Sequence, residues 1–415
     1  MGCMWILIGC GLLFVYTNKM QVFVIGGGAG GFFAAIHHKL AHPNDCVVII
    51  EKSAEVLSKV RISGGGRCNV THACFDPREL ASFYPRGSRE LLGPFHRFSP
   101  TDTMAWFESR GVSLKVESDN RVFPVSDSSE SIVDCLVGEA ARLGVKVWIQ
   151  CPLVSIEKHD RFRLALGNGA VHDADKVVLA TGSSRVGHGF AKALGHTIQD
   201  PIPSLFTFKI ADKALQALSG LSVRNGIVHL EGMPKAGQTG PVLITHWGLS
   251  GPAIIKLSAW QARRLHESKY HFGLVVNWVG ESDVSFERMM GSSKKVMGTS
   301  PIATIPTRLW RYLVTKSGVL SSMTWKQLTP KQLSRLESCL IYDRFEIAGK
   351  GVFKEEFVTC GGVSLNEVNF KTMESKRCDG LFFVGEILDI DGVTGGFNFQ
   401  NAWTTGFLSS VNPCL

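Results

Sequence analysis

The residues Gly26-Gly27-Gly28-Ala29-Gly30-Gly31 follow an apolar, β-branched run, Val22–Ile25, and precede a stretch that reads as a helix, Phe32–Leu40. They contain G-x-G-x-x-G at Gly26, Gly28 and Gly31. Between a strand and a helix, the first glycine permits a tight turn and the second lets the backbone approach a pyrophosphate. The third lets helix and strand pack closely. Free N–H groups at the helix start then favour negative phosphate oxygens. Glu51 closes the next apolar run, Val47–Ile50, 20 residues after Gly31, where a carboxylate can accept hydrogen bonds from ribose hydroxyls. The alternative is a glycine turn that holds no ligand.

Two further stretches carry the same texture. In Ser63-Gly64-Gly65-Gly66-Arg67-Cys68-Asn69, three consecutive glycines are entropically costly unless something approaches their backbone. Lys59, Arg61 and Arg67 are candidates to neutralise diphosphate charge. Cys68 invites a redox reading, against which stands a small packed thiol without a neighbouring partner. Near the end, Leu381–Val384 reads as a strand followed by Gly385-Glu386, then Asp389, Asp391-Gly392 and Thr394-Gly395-Gly396-Phe397-Asn398. A carboxylate at that strand end can bond ribityl hydroxyls. Glycine N–H groups opening a helix can face the pyrimidine edge of a flavin, where reduction places negative charge. Asp389 and Asp391 read equally as caps of the turn and helix.

These stretches need elements to hold them. Val22–Ile25, the glycine turn, Phe32–Leu40 and Val47–Ile50 make one βαβ unit, with strands apolar enough for a parallel sheet covered on both faces. Residues 53–75 read as a Ser/Gly-rich loop, and 101–110 and 129–143 as helices. Val145–Ile149, Val154–Ile156, Phe162–Leu166 and Val177–Leu179 read as strands, the last ending in Ala180-Thr181-Gly182. Gly167-Asn168-Gly169 signals a hairpin. From about 200 the texture changes to strand-like pieces, Phe206–Ile210, Gly226–Leu230 and Phe272–Trp278, followed by a basic, more helical stretch over about 284–340. The glycine-rich texture returns near 357, and Gln400–Leu408 starts a closing helix. The expected organisation is an apolar extension (1–19), a first domain in two parts (20–199 and 357–415), and an inserted β-rich domain with a helical piece (200–356).

Composition agrees with a globular chain: 415 residues, 45% hydrophobic and 19% charged. The net charge of +8 is spread along the chain and reads as a solvated surface. Eleven scattered cysteines without any C-x-x-C argue for reduced thiols in a cytoplasm and against a zinc ribbon or thioredoxin-like dithiol, so no metal site is expected. The apolar run Met4–Tyr16 is shorter than the about 20 residues of a bilayer span and has no preceding Lys or Arg. Stable membrane insertion is therefore not expected. Met20 reads as the natural start and residues 1–19 as an over-extended reading frame, with a short membrane anchor as the rival.

The stretches VFVIGGGAGG (22–31), ISGGGRCNVTH (62–72), RVFPVSDSSESIVDCL (121–136), VVLATGS (177–183) and ITHWGLSGPAI (244–254) resemble the BaiN-like, aminoacetone-oxidase-like NAD(P)/FAD-dependent oxidoreductases, within the glutathione-reductase-type flavoprotein fold. TCGGVSLNEV (359–368), TMESK (372–376) and GLFFVGEILDIDGVTGGFNFQNAWTTG (380–406) continue the resemblance in family order over nearly the whole chain. It implies a discontinuous Rossmann-like α/β domain that binds FAD, with an inserted β-barrel-like domain carrying a helical subdomain. It implies that Ala29, Gly30, Glu51, Lys52, Ser58 and Lys59, with the glycines around them, meet the adenosine and diphosphate, and that Val154 offers backbone to the adenine. Asp389, Asp391 and Gly395, Gly396, Phe397 and Asn398 would lie near the ribityl chain and ring. Gly65, Gly66, Arg67, Cys68, Asn69, Thr181, Gly182, Gly385 and Glu386 belong to the same cofactor set. Three departures bear on the substrate rather than on FAD: Thr71-His72 where the family has threonine-asparagine, a shortened Ser183–Phe190 loop, and Cys360 in place of alanine.

A flavin carries its own redox chemistry, and the protein supplies position and electrostatics. If a proton also moves, His246 is the first candidate, before a Leu249-Ser250-Gly251-Pro252 turn that would project it, and His72 the second. Each reads also as a structural histidine. No second dinucleotide fingerprint is present, so NAD(P)H as a transient donor would approach the flavin directly. The reading is a flavin oxidoreductase acting on a small organic substrate, by reducing a C=C or C=N bond or oxidising an amine. The alternatives are a flavoprotein acting on RNA, supported by Lys294, Lys295, Arg308, Arg311 and Lys316, and a flavin-binding module without turnover. Mass spectrometry of the native protein's N-terminal peptide is expected to find a chain beginning at Met20, and a peptide from residues 1–19 would reject that start.

Overall fold

The computed structural model describes residues 19–282, 286, 289–351 and 358–410. The apolar run Met4–Tyr16 and Cys3, Cys10 and Cys414 lie outside the described residues. The chain divides into two compact units, residues 1–200 with 361–415 and residues 201–360.

The first unit is built on a seven-stranded sheet. Gln21–Ile25 pairs in parallel with Cys46–Ile50 on one side and Lys176–Leu179 on the other. Lys146–Trp148 and Leu381–Phe383 extend the parallel array outward. Glu374–Ser375 and Val368–Asn369 finish one edge antiparallel. Val22, Val24, Ile49, Val177 and Leu179 are buried, as expected for short apolar strands in a sheet covered on both faces. The helix Ala29–Ala41 follows the glycine turn, and the closing helix Phe397–Leu408 lies against it. These helices approach at backbone distance: a Cβ on Gly406 would sit 3.1 Å from the Gly30 carbonyl oxygen, and one on Gly30 3.7 Å from the Ala402 Cβ. The closing helix begins three residues before the expected Gln400.

Expectations and structure differ where local hydrogen bonding decides. The segment read as a loop over 53–75 contains a helix, Ser58–Gly66, whose dihedrals break at Ser63, Gly64 and Gly65. The short helices Pro77–Ala81 and Ser88–Arg97 were not signalled by apolar periodicity. Asp76 caps the first by accepting the N–H groups of Arg78 and Glu79. The helices Pro100–Glu108 and Glu130–Arg142 lie close to the expected ranges, the first opened by a Ser99/Asp102 capping box. The hairpin at Gly167-Asn168-Gly169 forms. Asn168 accepts the Ala170 N–H at 3.0 Å, and Gly169 takes φ +84°.

A Ser375–His196–Glu367 line has the order of a hydrolase triad, with Ser375 Oγ 2.9 Å from His196 Nε2 and His196 Nδ1 3.1 Å from Glu367. Ser375 Oγ also accepts the N–H groups of Arg377 and Cys378, and all three side chains are buried. The set fastens the edge hairpin and leaves no exposed nucleophile.

The second unit holds a closed six-stranded barrel. Its strands run in the order Phe208–Ile210, Gly248–Ser250, Gln238–Thr245, Ser222–Leu230, His271–Asn277 and Asp343–Lys350. Helices Pro252–Trp260, Ala262–Glu267, Thr307–Lys316 and Pro330–Ile341 accompany it. Its core includes Trp278, Trp310, Trp325 and Phe286. Buried Asp343 accepts Trp278 Nε1–H at 2.8 Å and Lys316 Nζ–H at 2.6 Å, which satisfies a carboxylate taken out of water. The chain leaves the first unit along Ile198–Ser204 and returns along Val358–Val363, and these two strands pair with each other.

Lys176, at the start of its central strand, is buried. It donates to the Ser409 carbonyl at 2.6 Å, and its Nζ lies 3.9 Å from the centre of the Phe382 ring. Burial pushes its ammonium down to about 8. Its folded value thus lies below its unfolded one, so between about pH 8 and 10.4 the unfolded chain binds the extra proton and stability rises with pH. Denaturant titrations across that window are expected to show this rise in the native chain and a flatter profile in Lys176→Met. Equal slopes would reject the assignment.

Candidate functional site

The glycine turn separates into two kinds of position. Gly26 adopts φ +111°, and a Cβ there would lie 2.5 Å from the Ala180 carbonyl oxygen. At Gly31 it would lie 2.0 Å from the Gly26 oxygen. Protein packing alone requires those two glycines. Gly28 is different: its φ is −91°, and no protein atom lies within 4 Å of where a Cβ would be. The same open space flanks Gly65 and Gly66, at φ +70° and +85°. Gly28 caps a 13-residue helix that has neither a side-chain cap nor an acidic residue in its first turn. The start of this helix therefore sets its positive end beside the open space at Gly28.

Glu51 stands beside this cradle. One carboxylate oxygen accepts the Gly27 N–H and the other the Ser53 N–H, both at 2.8 Å. Each oxygen keeps a second lone pair for a hydroxyl donor. Lys52 and Ser58 are exposed nearby in the chain. The Cys151 N–H donates to the Glu51 carbonyl, which leads into the strand Leu153–Lys158, where Val154 is 62% exposed.

The cations assigned to diphosphate are paired with protein carboxylates. Lys59 Nζ lies 2.5 Å from Glu386 Oε2, and Arg61 pairs with Glu130. Arg67 pairs with Glu117 at 2.7 Å and Asp127 at 3.4 Å, and its guanidinium covers the Phe123 ring. Arg67 is thus held in a structural network, which corrects the reading of it as a free counter-charge. Cys68 is fully buried, and burial pushes its thiol up to about 12, so it packs as a neutral group rather than a redox centre. Asn69 carries a bridging role. With its amide nitrogen donating to the Thr71 carbonyl, its oxygen accepts the Gly396 N–H, each at 3.0 Å. Thr181 and Gly182 end the central strand, and a Cβ on Gly182 would lie 3.6 Å from Glu386 Oε2. Gly385 and Glu386 open a single 3-10 turn, and the Gly385 N–H donates to Thr405 Oγ1 at 3.0 Å.

The loop Asp389–Asn398 is organised from within and from below. Asp389 is buried, and its N–H donates to the Val363 carbonyl. Asp391 is also buried, and its carboxylate meets Arg86 through two hydrogen bonds. It is neither a helix cap nor an exposed ribityl acceptor. Asn398 likewise turns inward, accepting the Gly392 N–H at 2.8 Å and donating to the Gly392 carbonyl at 3.0 Å. Gly395 and Gly396 take φ +136° and +93°. His72 stacks on Phe397 with ring centres 4.6 Å apart, and Phe397 stacks on Phe83 at 4.5 Å. His72 is therefore in the loop's own packing.

His246 lies in the other unit. With Trp247 it forms the turn between Gln238–Thr245 and Gly248–Ser250, and its side chain is exposed. The Leu249-Ser250-Gly251-Pro252 stretch is not a projecting turn. It ends the second strand and opens the helix Pro252–Trp260. Lys294, Lys295, Arg308 and Arg311 are exposed, whereas Lys316 is committed to Asp343.

Sequence reasoning missed Arg86, Tyr84 and the polar face of the closing helix. Gln400 Oε1 accepts the hydroxyls of Thr71 and Thr103 at 2.6 and 2.9 Å. Trp403 Nε1–H donates to the Val70 carbonyl at 2.9 Å. The available signal was the density of Gln, Asn, Trp and Thr in a helix otherwise apolar enough to be buried.

FAD fits this arrangement on the protein's own geometry. Gly28 leaves room no protein group fills, the helix start offers unused N–H donors, and Glu51 retains acceptor capacity. The sequence pattern described as the HI0933-like protein Rossmann domain matches residues 20–412. The chain is 28% identical to a 3-dehydro-bile acid delta(4,6)-reductase of Clostridium scindens, over 94% of this chain and 98% of that one. It is 27% identical to a ribosomal RNA dihydrouridine synthase of Haemophilus influenzae, over 94% and 97%. Among solved structures, the 3-ketosteroid delta1-dehydrogenase of Sterolibacterium denitrificans superposes with a TM-score of 0.49 at 12% identity, covering 95% of this chain and 99% of that one.

Gly28→Ala is expected to leave the apo fold and its melting temperature unchanged while weakening FAD binding roughly tenfold by overfilling the cradle. Gly31→Ala is expected to unfold the first unit. Glu51→Ala is expected to reduce FAD retention through gel filtration, and unchanged flavin occupancy would count against the ribose assignment.

Proposed function

The chain belongs to the HI0933-like Rossmann-domain family, and we infer that it is an FAD-dependent oxidoreductase. From that premise we propose that it reduces a conjugated carbon–carbon double bond of a small organic substrate, with NAD(P)H as the electron donor. The observation that carries the cofactor half of this reading is the open space at Gly28 above an uncapped helix start. The choice of reaction is supported by two relatives, a delta(4,6)-reductase and a dihydrouridine synthase, since each of those reactions adds hydrogen across a C=C bond.

Bound FAD would supply two-electron redox chemistry, taking up hydride and passing it on. The chain's residues provide the rest. Backbone N–H groups at Ala29 and Gly30 would hold diphosphate oxygens, and Glu51 would accept ribose hydroxyls. Val154 would offer backbone to the adenine. The start of the closing helix would supply N–H groups that stabilise negative charge on the reduced ring. His72 would be the donor of the proton that accompanies reduction of the double bond, a reading supported by its lying beside Gly395. His246 is the alternative proton donor. A reducing compartment, the cytoplasm, belongs to this reading and is supported by the free thiols of the eight described cysteines.

A second reading has one observation in its favour. Relatives named for ribosomal RNA occur in Haemophilus influenzae and Escherichia coli, and Lys294, Lys295, Arg308 and Arg311 are exposed. On that reading the double bond belongs to a uracil base in RNA.

The test is anaerobic reduction of the purified yellow protein by NADH or NADPH, then mixing with oxygen, a steroid enone or an RNA fragment. The expected outcome is slow reoxidation by oxygen and fast reoxidation by the enone. Fast oxygen reoxidation with peroxide release would make the protein an oxidase. Reoxidation by RNA alone, lost steeply as salt rises, would establish the second reading. A colourless protein that refuses FAD would reject both.

A further inference from the structure

The segment Phe83–Gly87 makes a set of contacts to the Asp389–Asn398 loop that no role above explains. Arg86 has an 11% exposed side chain and grips the fully buried carboxylate of Asp391 through Nε and Nη2. The backbones of the same two residues form an antiparallel bridge. Tyr84 Oη donates to the Phe397 carbonyl at 2.5 Å, and the Val393 N–H donates to the Phe83 carbonyl at 3.0 Å. Gly87 is a close approach: a Cβ there would lie 2.5 Å from Ile390 Cγ1. The loop is therefore fixed at Ile390, Asp391, Val393 and Phe397 by four residues of one five-residue segment, Phe83, Tyr84, Arg86 and Gly87. Burial pushes the Tyr84 phenol well above its ordinary value, so it remains a neutral donor.

Stability alone does not account for this arrangement. A buried ion pair is often no more stabilising than apolar residues of the same volume, and its best-attested use is to specify one geometry among several. Here the specified geometry is that of Gly395, Gly396 and Phe397, the residues that open the closing helix. Dipoles act on a developing charge only when they are held in place before it appears.

We propose that Tyr84 and Arg86 are positioning residues that hold the start of the closing helix at the height where its N–H groups meet the ring edge of bound FAD, and so set both the affinity and the reduction potential of the flavin. This rests on the FAD reading above. Neither residue touches the flavin in this account, and both act through the loop. Loosening the loop removes stabilisation from the reduced, more negative ring in preference to the oxidised one, so the potential moves to more negative values.

The experiment uses the full chain and the variants Tyr84→Phe and Arg86→Lys. It measures the FAD dissociation constant by flavin fluorescence, the midpoint potential by dye-coupled titration, and the melting temperature of the apo protein. Tyr84→Phe keeps the ring and its packing and is expected to weaken FAD binding about fivefold, the effect of one lost hydrogen bond, with a negative shift in potential. Arg86→Lys keeps the charge but loses the planar fork, and is expected to move both quantities further in the same direction. Weaker binding with an unchanged potential would overturn the positioning role and leave a structural contact. Unchanged affinity and potential would overturn it as well. If Arg86→Lys fails to fold, Tyr84→Phe decides. A native chain that binds no FAD would instead bring down the functional reading on which the proposal stands.

Discussion

The return of the closing helix to the glycine helix is the contact on which the rest of the first unit depends. Phe397–Leu408 arrives from the far end of the chain and approaches Ala29–Ala41 closely enough that a Cβ on Gly406 would lie 3.1 Å from the Gly30 carbonyl oxygen. That approach is incompatible with larger side chains, and it is sealed by buried polar bonds. Gln400 takes the hydroxyls of Thr71 and Thr103, Thr404 bonds the Phe98 carbonyl, and Thr405 accepts the Gly385 N–H. Each such bond contributes about 1 kcal/mol net, but leaving its partner unsatisfied in the interior costs about 1–3 kcal/mol. The network is thus more a condition on correct docking than a reservoir of stability. The glycine turn and the Asp389–Asn398 loop are carried by elements this docking brings together.

The charges around the site follow from the same economy of contacts. Lys59, Arg61 and Arg67 each have a carboxylate partner, and Asp391 has Arg86. Side-chain charge near the cradle is therefore largely neutralised within the protein. The proposed recognition of an anionic dinucleotide would then fall to backbone N–H groups at a helix start, which are directional, fixed and insensitive to salt compared with exposed ion pairs.

Much of this was legible in the residues themselves. The strand–glycine–helix order at Val22–Leu40 is a local property, and so are the continuous apolar strands and the Gly167-Asn168-Gly169 hairpin. The shift to shorter, turn-separated strands near residue 200 signalled a β-rich segment, while its closure into a barrel was implied only by the family resemblance. What stayed hidden depends on partners far apart in sequence. Asp391 reads as a cap until Arg86, 305 positions earlier, is placed against it. Arg67 reads as a phosphate ligand until Glu117 is seen to hold it. The helices over 77–97 are short; Pro77–Ala81 is a single capped turn, and the apolar stripe of Ser88–Arg97 is brief and carries Pro94 within it. The position of His246 in a two-residue turn depends on where a strand bends, which composition does not encode.

The paired strands Ile198–Ser204 and Val358–Val363 mark where the barrel unit enters and leaves the chain. Neighbouring strands stand about 4.8 Å apart, so the whole excursion begins and ends at nearly one point. Such a junction behaves like a socket: what is plugged into it can be lengthened, exchanged or removed without asking the sheet beneath to change its wiring. Evolution can therefore alter the barrel unit while the strand order of the first unit stays constant, and a protein engineer inherits the same freedom.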